Sequence, residues 1–269
     1  MHRPLFTALV VAVAASALLV GCGTTSADTG ATASGGAGPT ATTAGPSGEI
    51  TVFAAASLTE SFTALGTQFE AANPDATITF SFGPSSGLAT QITEGAPADV
   101  FASASAKNMD AVVAAKAADA PAVFAKNVME IAVPPGNPAN VTTLADLGKA
   151  DVKVALCQPD VPCGAVAAKV FTNAGLTVTP VTLEADVKAT LTKVELGEVD
   201  AGVVYVTDVL AAGDKVTGIE IPADVNAATS YPIATLSASK NPDVAKEFVD
   251  YVLSADGASV LSAAGFQKP

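Results

Sequence analysis

The hydrophobic pattern divides the chain into three stretches. Leu5 to Val20 is apolar except for Thr7 and Ser16, and it follows a short basic start, Met1-His2-Arg3. Gly23 to Gly48 contains only Gly, Thr, Ala, Ser, Pro and one Asp, so it has nothing with which to build a core. From Glu49 onward, apolar runs alternate with apolar positions at helical spacing. Ile50 to Ala54 reads as a buried strand, and Leu58, Phe62, Leu65 and Phe69 recur at i, i+4, i+7 and i+11 behind Ser57, as one face of a helix does. Asn73-Pro74-Asp75 breaks that helix.

The alternation continues to the end of the chain. It predicts strands over Thr77–Phe82, Asp99–Ala102, Val128–Val133, Val152–Leu156, Val178–Leu183 and Ala201–Val206. Helices are predicted from Leu88 to Ile92, after Ala102 to about Ala117, from Gly164 to Ala174, from Ala185 to Leu196 and from Pro242 to about Leu253, with a short last helix from Asp256. Gly175 and Gly197 stop two of these helices, and Pro242 opens another at its first position. Strand–helix alternation indicates an α/β fold with mainly parallel sheets flanked by helices. The run of elements suggests two lobes, residues 49–128 plus 230–269 and residues 129–229, with the C-terminal tail returning to the first.

The N-terminal run has sixteen residues, few for a membrane span, which needs roughly twenty, but suited to a signal peptide over residues 1–21. It ends Leu19-Val20-Gly21-Cys22, which resembles a bacterial lipobox, so Cys22 is the expected lipidation site. An ordinary signal peptide that contains a cysteine is the alternative. Residues 22–48 are then a lipidated cysteine and a flexible tether with a typical reach of roughly 25–30 Å. The globular part is expected on the extracytoplasmic side of the cell membrane, held there by its lipid. Cys157 and Cys163 remain, close in sequence and even in number. In an oxidising compartment they suggest one disulfide, with two free thiols as the alternative.

Composition narrows the chemistry. Of 13 Lys+Arg residues the only arginine is Arg3, the only histidine is His2, and every lysine lies from Lys107 onward. Once the leader is removed, no imidazole is left for a Ser-His-Asp or Cys-His site. Two cysteines without histidine do not close a metal shell. Arginine clamps are absent, and a net charge of −13 opposes nucleic-acid binding. No metal ion and no cofactor is expected.

Small polar residues recur where a strand or loop runs into a helix: Ala56-Ser57, Pro84-Ser85-Ser86-Gly87, Pro162-Cys163-Gly164 and Ala185-Asp186-Val187. Helix N-termini present unpaired N–H groups and a partial positive charge and hold anions without a charged side chain. In open α/β sheets, ligands bind where strands give way to helices. Ser57 and Ser85 could equally be plain N-caps.

The segments Val52-Phe-Ala-Ala-Ala-Ser-Leu-Thr59, Ser81-Phe-Gly-Pro-Ser-Ser-Gly-Leu-Ala-Thr-Gln-Ile92 and Gly95-Ala-Pro-Ala-Asp-Val-Phe101 resemble the periplasmic molybdate-binding proteins of ABC transporters. Pro162-Cys-Gly164 and Gly202-Val-Val-Tyr205 extend the likeness over nearly all of Glu49 to Pro269. The resemblance implies a type II periplasmic-binding-protein fold, with two lobes and a ligand cleft between them. It implies a monomer that captures molybdate, and tungstate with it, and delivers the anion to an ABC permease.

Carried over by position, the donors would be the hydroxyl and amide of Ser57 and of Ser85, the backbone N–H groups of Cys163 and Val187, and the phenol of Tyr205. The family commonly has alanine where Cys163 stands, so a disulfide here would lie at the rim. Ser86 is the alternative to Ser85. A donor-only site would favour a fully deprotonated oxyanion and penalise hydrogen phosphate, whose proton needs an acceptor.

Other readings compete. Gly83-Pro84-Ser85-Ser86-Gly87 matches G-x-S-x-G and Ser237-Ala238-Ser239-Lys240 matches S-x-x-K, yet a hydrolase lacks its histidine base or its companion motifs, so no enzyme is expected. A receptor for sulfate or another tetrahedral oxyanion stays open. Iron binding usually wants several tyrosines, and this chain has Tyr205, Tyr231 and Tyr251. A ligand-free surface lipoprotein is the remaining alternative. In that bland view Tyr205 is a core residue and Lys107 and Lys188 are solvated, while Asp99 and Asp208, being acceptors, would have to stand outside any anion's first contacts.

Overall fold

A computed structural model of the protein describes residues 45–269. The expected signal peptide, Cys22 and nearly all of the tether fall on residues 1–44 and lie outside the described residues. The chain opens with Gly48–Ala55 (β1), a 3₁₀ turn at Ala56–Leu58, Thr59–Ala72 (α1), Ala76–Gly83 (β2), Ser85–Thr93 (α2), Val100–Ala102 (β3) and Ala106–Ala114 (α3). Ala122–Val133 (β4) is a long strand. Val154–Cys157 (β5), Pro162–Ala174 (α4), Thr182–Glu184 (β6), Val187–Glu195 (α5), Ala201–Tyr205 (β7) and Val206–Ala212 (α6) follow. Thr217–Glu220 (β8), Ala228–Thr235 (β9), Pro242–Leu253 (α7) and Ala255–Ala263 (α8) complete it.

The strands form one mixed sheet in the order β2-β1-β3-β9-β4-β7-β5-β6, with β8 also paired to β4. The parallel pairings expected from strand–helix alternation lie at its two ends, β1 with β2 and β3 and β5 with β6 and β7. The middle is antiparallel, because β4 and β9 are the two passes by which the chain crosses between the halves.

Several elements depart from expectation. β4 begins at Ala122, six residues before the predicted strand, because Lys126 and Asn127 interrupt the apolar run that marks its second half. α6 and β8 had no clear periodicity to announce them. β9 carries Pro232, which has no N–H for a ladder; the structure accommodates it opposite Val123, where the register of β4 shifts before Ala125.

Burial groups the core into separate clusters. Phe62, Leu65 and Phe69 of α1 are sealed against Ile50, Val52, Tyr231 and Phe248 on one face of the first sheet half. Leu88, Ile92, Phe101, Met109 and Val112 pack on its other face. Ile131, Val154, Val170, Leu191, Val203 and Tyr205 belong to the core of the second half. β4 passes from one to the other between its ladder with β9, which ends at Val128 opposite Ala228, and its ladder with β7, which begins at Met129 opposite Tyr205. At that junction Asn226 stands in for a neighbouring strand: its Oδ1 accepts from the Met129 N–H at 3.2 Å and its Nδ2 donates to the Met129 carbonyl at 2.9 Å.

Candidate functional site

Where the two halves meet, the structure gathers six chain segments around one small cavity. Its lining is Ala55-Ala56-Ser57, Gly83-Pro84-Ser85, Ala104, Val161-Pro162-Cys163, Asp186-Val187 and Tyr205. All five candidate donors, Ser57, Ser85, Cys163, Val187 and Tyr205, line it, whereas Ser86 does not. The space open to the centre of a water molecule is about 20 Å³. A sphere of that size widened by a water radius reaches about 3 Å from centre to wall, which suits one tetrahedral oxyanion and not a sugar or an amino acid. No Lys, Arg or His is among its lining residues.

Each donor is positioned by its local structure. Ser85 is the first residue of α2, and its hydroxyl does not cap the helix. Its Oγ instead accepts the Ala104 N–H at 3.0 Å. With a lone pair so engaged, its own O–H proton is free to point inward. Ser57 sits in the 3₁₀ turn before α1 and likewise caps nothing; its Oγ lies 2.8 Å from the Tyr231 hydroxyl. If Tyr231 donates, Ser57 keeps its proton for the cavity. Both serines are nearly sealed from solvent, so the N-cap alternative is excluded for both hydroxyls.

The second half contributes helix N-termini. Val161 is the N-cap of α4 and Pro162 its first residue, so Cys163 is the first residue there with an N–H to offer. Val187 is the first residue of α5, and Asp186, its N-cap, uses its carboxylate on the Ala189 N–H at 2.9 Å. Helices leave their first N–H groups without an internal partner, so the Cys163 and Val187 amides are of the kind an anion can use. Gly164 is required beside Cys163, because a Cβ there would lie 1.9 Å from the Gln158 carbonyl oxygen. A disulfide joins Cys157, at the end of β5, to Cys163. Thr190 Oγ1 of α5 lies 3.3 Å from Cys157 Sγ, so the two amide-bearing helices are braced together.

Tyr205 ends β7, 1% exposed, with its ring edge-on to Tyr231 at 6.2 Å. Its hydroxyl is fully buried and makes no well-formed hydrogen bond with any described residue, the Tyr231 hydroxyl being close by but poorly aligned. Buried polar groups nearly always have a partner, so a phenol left over on a cavity wall is a candidate ligand donor. Burial, and then the neighbouring Tyr231 and Asp208, push its pKa well above the ordinary tyrosine value. It is therefore a neutral donor at any physiological pH.

Sequence reasoning missed the groups behind this wall. Tyr231 lies on β9, a strand hidden by Pro232, and its pKa is raised chiefly by burial. Lys188, expected in solvent, is largely enclosed: its Nζ lies 3.1 Å from Asp208 Oδ1 and 2.8 and 2.9 Å from the two Glu60 oxygens. Burial lowers its pKa, but Asp208 and Glu60 outweigh that and hold it above the ordinary lysine value. Asp208 is fully buried and accepts the Tyr205 N–H at 3.1 Å; burial raises its pKa to about 6 against the pull of Lys188. Asp208 does not line the cavity, and Asp99 is tied elsewhere to the Thr51 amide and the Ser239 hydroxyl. Their spacing offered one signal: Glu60 follows Ser57 by three residues and Asp208 follows Tyr205 by three, one helical turn in each case. Among the described residues no group of three or more His, Cys, Asp or Glu could hold a metal ion.

Residues 50–267 match the family described as "Bacterial extracellular solute-binding protein". The molybdate-binding protein ModA of Mycobacterium tuberculosis (strain ATCC 25618 / H37Rv) is 42% identical over 244 residues, 89% of this chain and 94% of that protein. The periplasmic molybdate-binding protein of Azotobacter vinelandii superposes with a TM-score of 0.73 at 20% identity, over 82% of this chain and 99% of that one. The sulfate-binding protein SubI of M. tuberculosis H37Rv superposes with a TM-score of 0.74 at 18% identity, over 82% and 86%. The two superpositions show a shared two-lobed α/β fold, which serves receptors for more than one oxyanion.

Proposed function

Since this chain belongs to the bacterial extracellular solute-binding proteins, a family of binding proteins and not of enzymes, we propose that it captures molybdate outside the cytoplasm and hands it to an ABC permease. The reading rests above all on the convergence of Ser57, Ser85, Cys163, Val187 and Tyr205, from both halves of the molecule, on one cavity of oxyanion size. The 42% identical ModA supports molybdate as the anion. Tungstate, of the same charge and shape, belongs in the same reading, as does a lipid anchor at Cys22.

The mechanism follows from the donor set. Hydroxyls and peptide N–H groups facing a doubly charged anion make charge-assisted bonds, each stronger than a neutral pair. Fixed dipoles at two helix N-termini add to them without a counter-ion. Residues 49–128 plus 230–269 and residues 129–229 act as the two lobes. They swing about the β4–β9 crossing, so that closure buries the anion and presents a different surface to the permease.

Titration calorimetry of the purified chain with molybdate, tungstate, sulfate and phosphate tests this. Tight binding of molybdate and tungstate with weak or no phosphate binding is expected. Submicromolar sulfate binding without molybdate binding would refute the assignment in favour of a sulfate receptor.

A further inference from the structure

The charged residues beside the cavity form a pattern that the binding of an anion does not require. Each lies just beyond a proposed donor: Glu60 three residues after Ser57 on α1, Lys188 directly after Val187 on α5, and Asp208 three residues after Tyr205 on α6. Together they make one ionic cluster in which Lys188 bridges both carboxylates, 2.8 Å from Glu60 Oε2 and 3.1 Å from Asp208 Oδ1. The two bridges differ in kind. Lys188 and Asp208 both belong to the half built around β5 and β7, and the Asp208 side chain is sealed. Glu60 belongs to the half built around β1, and its side chain is 52% exposed. The Lys188–Asp208 contact therefore persists whatever the lobes do, whereas the Lys188–Glu60 contact spans the cleft.

We propose that Glu60 and Lys188 form a latch that holds the two lobes closed over the anion, with Asp208 as the fixed anchor that keeps the lysine aimed across the cleft. This rests on the reading that the cleft closes on an oxyanion and adds the pair that sets how long it stays closed. Neither side chain is among the cavity-lining residues, so both are positioning residues and not ligands. The geometry couples the two events. The helix turn that carries the Val187 amide to the anion carries Lys188 to Glu60, and the turn that offers Ser57 presents Glu60. The ion pair forms whenever the lobes close and favours the closed arrangement with or without the anion; when the lobes part, Lys188 keeps its contact with Asp208 alone.

The sign of one substitution separates this role from plain electrostatics. Glu60 is a negative charge near a dianion, so on charge alone Glu60→Gln would slow the anion's release. As a latch it does the reverse. Stopped-flow measurement of molybdate release from the full chain, followed by tyrosine fluorescence, should show Glu60→Gln releasing about two- to five-fold faster than the parent at low salt. That difference should shrink at about 1 M salt, where ion pairs are screened. Release that is unchanged or slower overturns the latch. Small-angle X-ray scattering of the anion-free protein at low salt gives a second reading: Glu60→Gln should be more open than the parent, and identical profiles overturn it. If the parent binds no molybdate, tungstate or sulfate, the oxyanion reading fails, and the scattering comparison alone decides whether the cross-cleft pair holds the lobes together.

Discussion

Replacing Tyr205 by phenylalanine removes one oxygen atom and should move stability and affinity in opposite directions. The ring is 1% exposed and packs edge-on against Tyr231, and phenylalanine keeps that contact. The hydroxyl is buried without a well-formed hydrogen bond among the described residues, and a buried polar group in that condition costs about 1–3 kcal/mol. Without an anion, Tyr205→Phe should therefore be more stable than the parent by about 1 kcal/mol, which raises the melting temperature by about 2–4 °C for a domain of this size. With the anion the balance reverses. A hydrogen bond to a charged group contributes about 1.5–3 kcal/mol, so molybdate affinity should fall about 10- to 150-fold. Saturating ligand stabilises only in proportion to the logarithm of its concentration over Kd. The two melting curves should therefore exchange order when molybdate is added. Differential scanning calorimetry with and without ligand, together with titration calorimetry, measures both halves. A variant that is less stable without ligand and binds molybdate as the parent does would return Tyr205 to the core and refute the argument.

Replacing Cys157 and Cys163 together by serine opens a loop of six-residue separation and should cost about 2 kcal/mol in the chain-entropy model, read by urea unfolding against the oxidised parent; a loss below ~0.5 kcal/mol would show that the brace is redundant. Gly164→Ala places a methyl group where the Gln158 carbonyl stands, so α4 must shift and the Cys163 amide with it. Stability should fall by about 1–3 kcal/mol, as in other overpacked sites, and molybdate affinity should fall with it, whereas a wild-type titration would refute the placement. Asp208 has its pKa raised from 3.8 to about 6, so the folded protein holds its proton longer than the unfolded chain does. Its contribution is complete below about pH 4 and is lost as pH rises through about 6, by roughly 3 kcal/mol at most. Between pH 4 and 7 the stability of Asp208→Asn relative to the parent should rise, and a flat difference would show that Lys188 compensates the charge fully.

Much of this molecule is written in local pattern. The α1 stripe of Phe62, Leu65 and Phe69, the buried runs of β1 and β7, and the Pro162 and Pro242 helix starts all follow from near neighbours in the chain, whose spacing declares which face is apolar. The absence of histidine and arginine beyond Arg3 is equally plain, and it points to hydroxyls and helix N-termini as donors. The positions of Ser57, Ser85, Cys163, Val187 and Tyr205 were carried over from a family resemblance, not from the residues alone; Val187 in particular has nothing local to distinguish it from any other helix-face residue.

Tertiary structure decided the rest, because it depends on which segments meet across long stretches of chain. Strand β9 contradicts its own propensity at Pro232 and exists because a register shift in β4, more than a hundred residues earlier in the sequence, leaves room for a residue without an N–H. Tyr231 meets Ser57 across 174 residues, and Lys188 meets Glu60 across 128. A lysine in a sequence reads as solvated because most are. Lys188 is enclosed only because folding sets two carboxylates around it, where each compensates the cost of taking the charge out of water. The sequence by itself determined that an anion would have to be held by neutral donors. The fold decided which candidate donors share one wall, that the Tyr205 phenol is left over at that wall, and that the nearby charge is confined to one lysine and two carboxylates behind it.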